Sequence, residues 1–278
     1  MKSEKKKKVI SYEKAKALAV DGDKKSCADL VGRNDVPREV LYYLADDPSP
    51  NVRKSIASNT ATPEHADLLL AKDKNENVRS SLAEKIACLS PGFIADEQNR
   101  LRSMTYDALS ILAKDQATRV RQILSETLRD LANAPPDVIR RLAWDIEAAV
   151  ATPVLRFSPI LNDEDLIEII RANPSEGCTQ QVSQRENVSN AVSSAIVDSS
   201  DTDAIALLLG NDSAQIREET LSKVIDQVDQ INLWHKPLAM RPRLPTSAAV
   251  KIAHFVADDI LKRMAARKDL TPKAYAAV

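Results

Sequence analysis

"LADDPSPNVRKSIA", Leu44–Ala57, returns 26 residues later as "LAKDKNENVRSSLA", Leu70–Ala83. Both copies place an Asp three residues after the leading Leu, a Val eight after it and an Arg nine after it. Allowing Asn for Asp and Ile for Val, two more copies follow: "LAKDQATRVRQIL", Leu112–Leu124, and "LLGNDSAQIREETL", Leu208–Leu221. Recurrence at such a period marks stacked helical pairs, because one pair cannot bury its apolar face alone. The leading Leu closes a first helix, as in "PREVLYYLA" and "PEHADLLLA", each opened by a proline whose missing N–H costs nothing there. A polar turn follows, and a second helix then starts near Val52, Val78, Val120 or Ile216, all expected in the core. The predicted fold is all-α: an α-solenoid of antiparallel helical pairs, irregular in its second half.

The acid and the arginine sit six residues apart in Asp47/Arg53, Asp73/Arg79 and Asp115/Arg121, and Arg217 keeps that spacing from Asn211. The acid falls in the turn between the helices and the arginine on the next helix's first turn. Stacking then brings acids and arginines into alternation. Each guanidinium can fork onto a carboxylate of its own repeat or of the next. These seven residues, Asp47, Arg53, Asp73, Arg79, Asp115, Arg121 and Arg217, are expected to form a structural ladder.

Paired helices with this acid–arginine spacing resemble HEAT-type repeats, and Pro37–Ala83 is also similar to the related leucine-rich-repeat variant. That variant can carry an N-terminal iron–sulfur cluster on grouped cysteines; only Cys27 lies in that region here, so no cluster is expected. A longer resemblance covers the middle and the end. "DIEAAVATPVLRFSPILNDEDLIEIIR", Asp145–Arg171, and "LWHKPLAMRPRLP", Leu233–Pro245, are similar to a bacterial family known as domain of unknown function 2336. The resemblance implies a helical-repeat protein of the bacterial cytosol and brings no activity with it.

The totals agree with helix. Gly is only 5 of 278 residues and aromatics are 4%, so Ala, Leu, Ile and Val supply the apolar mass. Cys27, Cys88 and Cys178 have neither metal-site nor redox spacing, and an odd count speaks against a disulfide framework. No apolar run approaches a membrane span of roughly 18 residues. The basic start "MKSEKKKKVI" lacks the apolar stretch of a signal peptide, so a cytoplasmic protein is expected.

Along the chain, residues 1–10 read as a disordered basic tail, 11–134 as helical repeats, and 135–162 as a connecting segment with little periodicity. Residues 163–230 read as a second helical lobe, and 231–278 as a Pro-rich connector plus a long helix from Pro245. Charge is unevenly spread. Net charge is −1 overall, but Ser158–Gln230 carries 14 Asp/Glu against 4 Lys/Arg, a net of −10. Ile231–Val278 carries 9 Lys/Arg against 3 Asp/Glu, a net of +6.

Catalytic signals are lacking. The three histidines, His65, His235 and His254, have no metal-ligand spacing, and the five glycines form no phosphate loop. Asp163, Glu164 and Asp165 open a helix, where acids complement the dipole. No catalytic residue, metal or cofactor is expected. "WHKPLAMRPRLP" holds three prolines, three basic residues and one of two tryptophans. Trp234, His235, Arg241 and Arg243 are therefore the candidate partner-binding residues, on a loop beside the concave helix face. The expected function is a non-catalytic protein-binding scaffold or regulatory adaptor; oligomeric state is left open. Nucleic-acid binding is the alternative, disfavoured by the charge balance and few aromatics. A base-repair enzyme, with Trp144 beside Asp145 as its local candidate, stands third.

Overall fold

The computed structural model describes residues 10–21, 30, 32–33, 35–89 and 99–241. Expectations placed on 1–9 and 242–278, including Arg243 and the final helix, lie outside the described residues. Fifteen α-helices and no strand occur among the described residues. The chain divides into two compact units at Leu161/Asn162.

In the first unit, α1 (Tyr12–Asp21) precedes four helical pairs. These are α2 (Arg38–Leu44) with α3 (Pro50–Ser58), and α4 (Glu64–Leu70) with α5 (Glu76–Leu89). Then come α6 (Asn99–Leu112) with α7 (Thr118–Leu128), and α8 (Pro136–Ala143) with α9 (Ala148–Phe157). First helices pack beside first helices, from α1 to α8, and second helices α3, α5, α7 and α9 pack side by side in a separate layer. The cause is a shared apolar register. Val52, Val78, Val120 and Val150 are at most 3% exposed, as are Ile56, Leu82, Leu124 and Val154 one turn on. The closing leucines Leu44, Leu70, Leu112 and Leu142 fill the space between layers. Burying such a side chain contributes roughly 1.5–3 kcal/mol, so the repeated register is what holds the layers together.

Residues 135–162 are therefore not a connector. Pro136 occupies the first turn of α8, Asp145 sits in the turn, and Val150 enters the core, so this stretch is a fourth pair.

The second unit is more regular than its sequence suggests. α10 (Asp163–Ala172) pairs with α11 (Cys178–Ser183), and α12 (Asn190–Asp198) with α13 (Thr202–Leu209). α14 (Glu218–Ile225) is followed by two short 3-10 turns and α15 (His235–Met240). The N-caps Asn162, Ser189 and Arg217 are spaced 27 and 28 residues apart. Asn162 and Asp165 form a capping box, Ser189 caps the N–H of Val192, and Asp201 caps that of Ala204. Each cap replaces a lost helical bond, which fixes where each helix starts. α10 and α12 are followed at the same register by Asn173 and Ser200, at φ 44° and 59°. The left-handed turn there stops the helix.

Candidate protein-binding surface

Each arginine of the first unit's ladder bridges two successive turns. Arg53 Nη1 donates to the carbonyl of Asp47, 2.7 Å, in its own turn. Its Nε and Nη2 fork onto the Asp73 carboxylate of the next turn at 2.6 and 3.1 Å. Arg79 does the same to the Asp73 carbonyl, 2.7 Å, and to the Asp115 carboxylate. Arg121 reaches the Asp115 carbonyl, 2.7 Å, and the Asp145 carboxylate at 2.6 and 3.0 Å. The six-residue spacing thus serves the backbone carbonyl of the same turn, and the carboxylate belongs to the repeat that follows. Each carboxylate also accepts the N–H two residues on, from Ser49, Asn75, Ala117 and Glu147, which shapes the turn.

These pairs are well shielded. The Asp73, Asp115 and Asp145 side chains are 5–10% exposed. Burial alone raises the Asp73 carboxyl, but the Arg53 guanidinium and the Asn75 N–H outweigh it and hold the group below its ordinary value. A lowered carboxyl contributes stability that is complete above its unfolded value, near 3.8, and is lost as pH falls through the folded one. Arg79→Ala strands the Asp115 carboxylate and should cost roughly 2–3 kcal/mol in denaturant unfolding at neutral pH. A loss below about 0.5 kcal/mol, the range of an ordinary surface change, would count against the ladder.

The fourth sequence copy does not join the ladder. Residues 214–217 precede α14 in non-helical backbone, Arg217 is an exposed N-cap, and Ile216 is half-buried. Asn211 instead donates to the carbonyls of Ser183 and Arg185 at 2.9 and 2.8 Å. Asp145 takes the place sequence reading gave to Arg217. Its signal was present: Leu142, Asp145 and Val150 keep the repeat's offsets, and only the Arg is replaced, by Ala151. The Asp145 carboxylate, beside Trp144 in sequence, is forked by Arg121 and so has a structural use.

Three of the four loop candidates, Trp234, His235 and Arg241, make contacts within the fold. Trp234 is 2% exposed and donates to the Thr202 carbonyl at 2.9 Å. His235 Nε2 lies 2.7 Å from the Val228 carbonyl. Arg241 donates to the carbonyls of Leu208 and Leu209 at the end of α13 and to those of Asn211 and Ala214 in the turn that follows. All three side chains thus have structural partners, and of them Trp234 is buried while His235 and Arg241 are half-buried.

What the fold leaves outside is different. On α2 and α4, the residues just before the closing leucines face out: Tyr42 and Tyr43 are 48% and 61% exposed, and Leu69 is 49% exposed. Tyr43 and Leu69 stand 26 residues apart at one register position, continued by the half-buried Ile111 on α6. Beside them, Tyr12, Lys16 and Ala19 of α1 face Glu39, Val40 and Tyr43 of α2 across a cleft of about 280 Å³. Sequence reading passed over these positions because apolar residues in a helix are counted first as core. In the second unit, a cleft of about 450 Å³ is lined by Arg171, Asn173, Thr179, Asp198 and Asp201. Asp198 there pairs with Lys223 and Asp201 caps α13, so both carboxylates have structural uses. Among the described residues, no group of three His, Cys, Asp or Glu side chains gathers as a metal set, and no helix is long and apolar enough to cross a membrane.

Residues 150–277 match the family described as an uncharacterised protein conserved in bacteria (DUF2336). The match begins in α9 and runs through the second unit. It supports the family resemblance of this part of the chain. No curated protein matches the chain.

Proposed function

We propose that the chain is a non-catalytic protein-binding scaffold or regulatory adaptor, built as a HEAT-like α-solenoid whose first-helix face docks a protein segment. One observation carries this reading: Tyr43 and Leu69 are large, apolar and exposed at one register on adjacent helices, with Tyr42 exposed beside Tyr43. Solvent-facing apolar side chains scattered singly are ordinary, whereas a contiguous row is what a partner buries. Tyrosines are favoured there because they bring large contact area with few rotatable bonds. The ladder adds the second requirement, a fixed spacing between the helices that carry the row.

The same ladder weakens the nucleic-acid alternative. Arg53, Arg79 and Arg121 spend their donors on carboxylates and carbonyls, so they cannot neutralise phosphates. The test is partner capture from the source cell with the full chain and with a Tyr42→Ser/Tyr43→Ser/Leu69→Ser variant. The variant should lose a protein that the parent retains, with an unchanged melting temperature. A sequence-selective duplex complex that survives about 150 mM salt, where exposed charges are screened, would favour the nucleic-acid reading instead.

A further inference from the structure

We infer that Arg129, Arg156 and Phe157 form an anion-reading contact for an acidic segment of a protein partner. The site lies apart from the Tyr42–Leu69 row and rests on the reading of the chain as a protein-binding module. It arises where α7 and α9, neighbours in the second layer, end together. Arg129 is the C-cap of α7, and Phe157 is the last residue of α9, after which Ser158 turns the chain into extended backbone. The Phe157 ring is 49% exposed at that corner. The guanidinium carbons of Arg129 and Arg156 lie 5.1 and 5.2 Å from its centroid. Each cation is within the distance at which a ring face attracts it.

Two points favour binding over packing. First, other arginines of the unit already have acids: Arg33 holds Asp35, Arg38 holds Glu64, and Arg53, Arg79 and Arg121 hold the ladder, while Arg119 and Arg141 have neither an acid nor a ring partner among the described residues. Among the described residues, Arg129 and Arg156 reach no carboxylate; Glu126, on the same helix as Arg129, is hydrogen-bonded by Gln122. Second, the ring restrains two like charges within about 10 Å of each other, an arrangement that an anion between them relieves. The helix ends contribute partial negative charge, which holds the arginines at the corner and opposes an approaching anion, so the forked donors have to carry the contact. Two guanidiniums with an exposed ring fit a carboxylate-bearing side chain next to an apolar one. They fit a duplex poorly, since a backbone needs a track of many cations.

The experiment uses the full chain and three fluorescent probes: a 12-residue peptide alternating Glu and Leu, its Lys/Leu counterpart, and a single-stranded 12-mer of thymidine. The Glu/Leu peptide should bind, and R129Q/R156Q should weaken it at least tenfold without moving the melting temperature. R129K/R156K, which keeps the charge but loses the fork, should fall between the two. Phe157→Ala should weaken binding severalfold by releasing both arginines. The Tyr42→Ser/Tyr43→Ser/Leu69→Ser variant should bind this peptide as the parent does, which separates failure here from failure of the apolar row. Absence of Glu/Leu binding, equal affinity in R129Q/R156Q, or tighter binding of the oligonucleotide or the Lys/Leu peptide would overturn the proposal.

Discussion

Val78→Asp will abolish cooperative unfolding of the first unit. Val78 is fully buried on α5, which packs between α3 and α7 in the second layer. A carboxylate there would meet apolar side chains with no partner, and burying an unpaired charge costs many kcal/mol unless the group protonates or the structure opens. A domain of this size has only about 5–15 kcal/mol of net stability to lose. Hydrogen exchange on the full chain should show unprotected amides through α3, α5 and α7. Ile216→Asp offers an internal contrast, because Ile216 is half-buried in non-helical backbone and should be tolerated far better. An unchanged melting curve for Val78→Asp would mean that the register assigned to the repeat is wrong.

Lys85→Met will destabilise the chain by about 3–5 kcal/mol, and adding Asp67→Leu will restore most of that loss. Asp67 on α4 and Lys85 on α5 form an ion pair that is nearly sealed from water. Burial disfavours both charges: it pushes the Asp67 carboxyl up from 3.8 to about 6 against the pull of Lys85, and it lowers the Lys85 ammonium. Removing the ammonium alone leaves a buried carboxylate without its counter-charge. Removing both leaves a site that apolar side chains can fill. The pH dependence has a definite sign. A carboxyl whose folded value is raised adds stability below its unfolded value and loses it as pH rises through the folded one. In Lys85→Met the carboxyl should rise further, so the variant's deficit against the parent should shrink as pH drops from 7 toward 5. A pH-independent deficit, or a double variant no better than the single, would contradict the role given to this pair.

The parts of the fold that could be read from the sequence were those labelled by polar residues at fixed offsets. Asp and Arg six apart are rare enough by chance that three in-register copies revealed the helical pairs. The carboxylate's true partner was not readable, because own-turn and next-turn pairing have the same spacing until the helices are stacked. Where one label was missing, the repeat vanished from view: Ala151 in place of Arg hid the α8–α9 pair, and with it Asp145. The second unit has its own spacing of 27 and 28 residues, marked only by single caps such as Asn162 and Ser189. Such caps are common in turns and do not stand out. Arg217 fits the pattern in sequence alone, since nothing local shows that the Ala214 carbonyl is taken by Arg241, 27 residues on. Exposure is the hardest property to read. Tyr43 and Leu69 look like core until the structure shows Leu44 and Leu70 buried beside them.

The claim that the first-helix face binds protein is tested most directly by photo-crosslinking in the source cell. A photoreactive phenylalanine analogue is placed at Tyr43, at Leu69, and, as controls on the second layer away from the Arg129–Phe157 corner, at Lys54 and Glu84. The account predicts a discrete protein adduct from Tyr43 and Leu69 that is absent from both controls. Adducts to nucleic acid, or the same adducts from all four positions, would contradict it.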